Sequence, residues 1–362
     1  MNMVYIPSPD TIPLAWGWFQ FLLLLTFPLH LLAMNAMLGG LAIGIVQHFL
    51  GGEIRSRLSH RIAIALPLVI AFVVNLGVAP LLFLQVLYGQ YVYTSSILMG
   101  SFWIMIIPLL IVGYYCAYLY DFKYSQLGRA GIFVATITFI FLLVIGYFFS
   151  NNMLLMTMPE QFGEYFSHMA GNFLVSGDAQ FLPRYLHMIC GALAVGGLFV
   201  AILGRFRSAD DPGLADHALK LGMNVFNWFT CLNICIGLWY LLTIERETMF
   251  RFMGRDMLAT LCFIVALGLV VTILVCGFRK KLLATFATTI VLVYLMSFMR
   301  AWVRSSYLRE YFNLGDLQVV AAYSPLIFFL VTLVLGILCV IWMLRLTAAA
   351  LKNGNNPSAL TK

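Results

Sequence analysis

The sequence predicts an all-α, polytopic membrane helix bundle with about nine transmembrane helices. Three observations carry that expectation. Hydrophobic residues make up 62% of the 362-residue chain and charged residues only 10%, which places it in the membrane class before any motif is considered. Apolar runs of about 20 residues, the length that crosses a bilayer, recur along the whole chain. The loops between those runs alternate in basic charge, as topology requires.

Nine spans follow in order, at about 14–50, 62–93, 96–120, 130–151, 180–204, 219–243, 255–278, 282–303 and 323–347. The first two are long and are expected to tilt or to project beyond the hydrocarbon. No soluble domain is evident, so 1–362 reads as a single transmembrane domain, with 348–362 as a cytoplasmic tail. The longest outer segment, about 152–179, is long enough for a short surface helix. The first dozen residues lack a basic region, and no small-residue cleavage site follows the first run. No cleavable signal is therefore expected.

The loop after span 1 carries Arg55, Arg57 and Arg61. Lys123 and Arg129 follow span 3, Arg205, Arg207 and Lys220 span 5, and Arg279, Lys280 and Lys281 span 7. The tail adds Arg345, Lys352 and Lys362. These face one side. Arg184, Arg246, Arg251, Arg255, Arg300, Arg304 and Arg309 face the other, with most of the acids. The positive-inside rule then puts the amino terminus outside and the carboxyl terminus in the cytoplasm. The net charge of +7 is thus a topology signal and implies no nucleic-acid partner. The outer cations are all arginine, a planar fork suited to carboxylates.

Seven cysteines fall mostly inside apolar runs and read as small hydrophobes. No Cys-x-x-Cys-His occurs, which excludes a covalently attached c-type haem.

The histidines point to chemistry. His60 and His217 lie in inner charged loops and read as solvated. His48, at the inner end of span 1, either caps that end or ligates a haem. His168, in the outer loop, is an exposed residue or borders a cofactor edge. His30 and His187 differ because both lie inside apolar helices, where an unpartnered polar ring is costly. Neutral imidazole is the commonest protein ligand of haem iron, so both are candidate haem ligands. His30 follows Pro28, which breaks the helical hydrogen-bond ladder. His187 follows Arg184 by one turn and precedes Gly191, Ala192, Ala194, Gly196 and Gly197. These small residues are expected to leave room for a flat, bulky group. Met34–Gly40 after His30 is similarly small on one side.

A second ligand for a haem on His187 would enter from the outer start of span 7, where Met257 stands at similar depth. Methionine as core filler is the plain alternative. Arg300 and Arg304, one turn apart on span 8, either grip haem propionates or anchor the helix end. His30 lies about 16 residues into its helix and His187 about 7, a depth difference of roughly 10–15 Å at 1.5 Å per residue. Span 3 from Ile97 to Gly113 and span 8 from Val291 to Leu308 contain no acid, whereas membrane oxygen reduction consumes protons that acidic side chains usually carry.

Nine spans, an outer amino terminus, a histidine in span 1 and another early in span 5 resemble subunit I of the cytochrome bd quinol oxidases. Phe19–His30 is similar to that family's haem-ligating first helix, and Ser150-Asn-Asn152 with Met158-Pro159 to the segment closing its fourth. The stretch around His187 resembles its fifth helix, whose histidine ligates the low-spin haem b. The resemblance implies Met257 as the partner ligand, since Arg255-Asp-Met257 matches the family's arginine two residues before a methionine. On this reading Arg184, with Arg255, would neutralise the propionates of that haem. The chain departs from the family elsewhere. The quinol loop between spans 6 and 7 shrinks to about Thr243–Gly254. The paired glutamates of span 3 are missing. Met299-Arg-Ala-Trp-Val-Arg304 stands where a Gly-Arg-Gln-Pro-Trp motif is expected.

The expected function is therefore a haem-binding integral membrane subunit of the cytoplasmic membrane of a bacterial-type cell. It would hold one to three haems b, mainly on helices 14–50, 180–204 and 255–278. It would carry electrons between the quinone pool and an outer-face partner such as a c-type cytochrome, alongside other membrane redox subunits. An active terminal quinol oxidase and a haem-free transporter or structural subunit are the alternatives.

Overall fold

The computed structural model describes residues 5–206 and 211–354, with side chains to Ala349. Arg207, Lys362 and the side chain of Lys352, counted above with the basic residues, lie outside them, as does most of the expected tail.

Among the described residues nine helices are long and apolar enough to cross a membrane. They are α1 (Trp16–Leu50), α2 (Glu53–Leu98), α3 (Gly100–Phe122), α4 (Ala130–Leu155), α5 (Phe181–Phe206), α6 (Pro212–Thr243), α7 (Met257–Phe278), α8 (Leu282–Leu308) and α9 (Tyr323–Gly354). A helix pairs most of its backbone groups within one segment, which the bilayer interior demands. Pro28, Pro67, Pro80 and Pro108 all lie inside helices rather than ending them.

The long second span is longer than its apolar run. With 46 residues, α2 extends about 69 Å at 1.5 Å per residue, against a hydrocarbon core of about 30 Å. It bends at Tyr88 (φ −135°, ψ 32°), beside Gly89. A single residue, Met99, separates it from α3.

One end of the bundle is tied together by its loops. Ile12 exchanges backbone bonds with the 318–320 segment, at 2.9 Å each way. Phe173 N–H donates to Leu98 C=O, and Ser101 N–H to Gly171 C=O. Asn151 Oδ1 accepts from Val175 N and Ser176 Oγ. The 152–179 segment, held by these bonds, contains the expected surface helix as a 3₁₀ turn, Pro159–Phe166. This is called the Ile12 end below.

The centre is built from two helical hairpins, α1–α2 and α5–α6, with α1 crossing α5. Lipid tails are as apolar as leucine, so packing at close range rather than the hydrophobic effect holds such helices. Small residues supply the close range. A Cβ at Gly39 would overlap the Ala192 carbonyl, and one at Gly196 would overlap the Gly39 backbone. Gly197 meets the Gly222 carbonyl of α6 in the same way, and Gly40 faces the Phe199 ring at 3.3 Å.

This corrects the sequence expectation for the small residues of α5. Ala192, Gly196 and Gly197 do not border an open slot; they are filled by α1 on one side and α6 on the other. Ala194 is likewise buried, within a cluster including Met223 and Phe226. The stretch after His30 is consumed by the same crossing. α9 is the opposite case, with none of its membrane span buried.

Candidate functional site

His30 and His187 occupy matching places in the two hairpins. His30 projects from α1 onto α2, where its Nδ1 lies 3.0 Å from the Val73 carbonyl oxygen. A carbonyl only accepts, so Nδ1 carries the proton and Nε2 keeps its lone pair. Gly77, one turn beyond Val73, makes the room: a Cβ there would stand 2.8 Å from His30 Cε1.

His187 projects from α5 onto α6, over Gly237, where a Cβ would stand 3.2 Å from Cε1 and 3.4 Å from Nδ1. One turn before Gly237 is Asn233. Its Oδ1 and His187 Nδ1 are both buried without a hydrogen-bond partner, and its Nδ2 lies near Gly191. Both rings are half-buried.

The correspondence extends along both helices. His30 is followed nine residues later by Gly39-Gly40, and His187 nine residues later by Gly196-Gly197. Gly39 and Gly196 are the two glycines that meet at the crossing. Both histidines therefore stand about 14 Å from one shared point, at 1.5 Å per residue, and toward the same end. The expected depth difference is overturned. It counted from helix starts, but α1 begins well beyond the level at which α5 begins, so the starts are not a common reference.

The arginines divide into two groups. Arg184 of α5 and Arg300 and Arg304 of α8 line one cavity of about 30 Å³, with Gln180, Tyr240 and Tyr307 among its other walls. Arg300 lies over the Phe27 ring, 4.6 Å from its centroid, and Arg304 over Tyr88 at 4.6 Å. Phe27 precedes His30 by three residues, and Arg184 precedes His187 by three. The cavity thus lies about one turn from both histidines, toward the Ile12 end. Arg255 stands apart. Its side chain is 61% exposed, 3.6 Å from Glu247 and over Phe250.

Met257 opens α7 and is 88% exposed. α7 packs against α8 and α6, so the thioether is not held against His187. The segment before it is irregular. Arg251–Arg255 forms a π-turn in which Gly254 has φ +113°, and Arg251 ties it to Asp256 and to Ser306 of α8 at 3.0 Å each.

The other histidines serve packing. His48 Nδ1 is 3.1 Å from Tyr120 Oη, which also bonds Ser59 Oγ at 2.8 Å. His48 and His60 both stack on the Tyr124 ring, with centroids 4.7 and 4.4 Å away. His217 Nε2 is 2.9 Å from Gln47 Oε1. His60 and His217 are therefore not simply solvated, as their charged surroundings suggested; each joins two helical segments. His168 lies in the 152–179 segment, 3.5 Å from Glu164 and against Phe173.

Sequence reasoning missed Val73, Gly77, Asn233 and Gly237, which seat the two rings, and Tyr240 and Tyr307 beside the arginines. The signal for the first group was the repeated histidine, eight residues, glycine, glycine. The chain matches no protein-family model and no curated protein.

Proposed function

We propose that this chain is a haem-binding subunit of a membrane electron-transfer complex. It resembles subunit I of the cytochrome bd quinol oxidases in architecture and passes electrons between the quinone pool and an outer-face redox partner without reducing oxygen. The observation that carries the reading is the seat of His30. Its Nδ1–H is spent on the Val73 carbonyl, which is how a metal-ligating imidazole is normally fixed in tautomer and orientation. The lone pair on Nε2 is left for a metal.

His187 supports the reading by its matching position. Haem b held at these rings would supply a one-electron couple. The chain's own residues do the rest. Val73 and Gly77 hold one ring, and Gly237 accommodates the other. Met257, which the resemblance implies as second ligand of a haem on His187, would have to turn in from its exposed place at the start of α7 to fill that role.

The interiors of the nine spans hold no Asp or Glu, which supports electron transfer over proton-consuming oxygen chemistry. The basic loops support an amino terminus outside a bacterial-type cytoplasmic membrane.

The test is a pyridine haemochrome assay with a redox titration on the purified complex. A b-type spectrum is expected, and His30→Ala and His187→Ala should each remove a different part of the Soret absorbance. A colourless wild-type protein would sink the reading and leave a haem-free transport or structural role.

A further inference from the structure

We infer that Arg184, Arg300 and Arg304 together form a binding site for an anion of the carboxylate class. The site stands whether or not the histidines bind haem. Three guanidiniums from two helices converge on one small cavity inside the bundle. Its walls contain no Asp or Glu. Among the described residues none of the three side chains makes an ion pair or a hydrogen bond, although ion pairs form elsewhere in the chain. Arg304 Nε is buried and unpartnered.

Aromatic faces take part of the load. Phe27 and Tyr88 lie under Arg300 and Arg304, but a ring quadrupole contributes about 0.5–2 kcal/mol and consumes no N–H donors. Arginine cannot escape by losing its proton. Clustered, partly desolvated positive charge without a counter-ion is among the costliest arrangements a protein can hold. The missing partner is therefore an anion that accepts from several N–H groups at once.

A carboxylate fits best. Its two oxygens match the guanidinium fork. Gln180 and Tyr307 bond to each other at 3.1 Å on the same wall. The cavity, about 30 Å³, has room for one small carboxylate group. Two sources share this chemistry: the acid group of a cofactor reaching in from beside His30 or His187, and a small free carboxylate from the aqueous phase.

The probe is sodium formate, compared at equal ionic strength with a bulky sulfonate too large for the cavity. Thermal unfolding of the full chain in detergent is followed with each salt. Anion binding to the folded state raises Tm with the logarithm of formate concentration, on the order of 2 °C per tenfold.

If a free anion fills the site, the protein as purified shows this rise. If a cofactor's acid group fills it, the protein as purified does not respond, and His30→Ala/His187→Ala does. In that second case Arg304→Gln in the loaded protein also lowers the cofactor's midpoint potential, a readout that survives if the double variant does not fold.

Arg300→Gln and Arg304→Gln separate binding from mere structure. Removing one uncompensated charge should raise Tm in formate-free buffer and abolish the formate response. The inference is overturned if both variants lose stability and keep a wild-type formate response. It is overturned equally if neither the wild type nor the double variant responds to formate and Arg304→Gln leaves the cofactor's potential unchanged. A colourless protein that still responds to formate would refute the haem reading alone.

Discussion

The α1–α2 and α5–α6 hairpins present the same motif with different finish. In each, a histidine lies over a glycine of the return helix, nine residues from the glycine pair that forms the crossing. In the first hairpin the ring is anchored, Nδ1 to the Val73 carbonyl at 3.0 Å. In the second, Nδ1 is buried with no partner. The first ring's tautomer is fixed by a well-formed bond; the second ring's contact with the Asn233 backbone is too poorly aligned to count as one. Helix crossing sets where each ring stands, whereas local hydrogen bonding sets its chemical state.

The largest expected effect is at the crossing. Gly39→Ala and Gly196→Ala each place a methyl group into the opposing backbone, with no flexible side chain to give way. Each should cost about 3 kcal/mol, the upper part of the range for overpacking, and both should lower thermal stability in detergent alike because they probe one contact. Gly268→Ala, with nothing near its added methyl, should lose no stability and gain up to about 1 kcal/mol from alanine's helix preference. Clearly unequal losses at Gly39 and Gly196 would break the proposed equivalence of the hairpins.

A smaller effect separates the two rings. In Gly77→Ala the methyl stands 2.8 Å from His30 Cε1, so the ring must shift and strain its bond to Val73. A loss of about 1–2 kcal/mol is expected, with a shift of the His30 spectral component. In Gly237→Ala the nearest ring atom is 3.2 Å away. A displacement of a few tenths of an ångström suffices there, and alanine's helix preference of about 1 kcal/mol offsets the cost. Stability should hardly change. A reversed order, with Gly237→Ala the more damaging, would mean that His187 is the more tightly held ring.

Much of this arrangement was legible in the sequence. Nine apolar runs fixed the helix count, and the cost of imidazole in lipid singled out His30 and His187. The glycine pairs were visible too, but their use was not. A glycine next to a ligand candidate reads equally as space for a cofactor or as space for a helix, and only the partner backbone decides. Depth failed for a related reason: residues were counted from helix starts, while the physical reference is the Gly39–Gly196 contact. The convergence of Arg184 with Arg300 and Arg304 depends on which helices adjoin. Spacing within one helix cannot reveal that.

The smallest effect tests how the second hairpin's proposed partner is held. Met257 follows Asp256, whose Oδ1 caps α7 by accepting from Leu258 N at 3.1 Å and Ala259 N at 3.2 Å. Those amides, that of Ala259 foremost, together with the Arg251 guanidinium hold the Asp256 carboxyl below its usual value of 3.8. A carboxyl held low in the folded state adds stability that is complete above its unfolded value. That stability is lost as pH falls through the lowered one, so the acid limb of stability below about pH 4 should flatten in Asp256→Ala. The lost cap should cost about 1 kcal/mol at neutral pH, measured by thermal unfolding from pH 7 to pH 3. The variant should also disturb the His187 spectrum and leave that of His30 alone, because only the second hairpin looks to α7 for a ligand. If a frayed α7 start leaves both spectra unchanged, Met257 is not that ligand and the two histidines share a simpler, single-sided coordination.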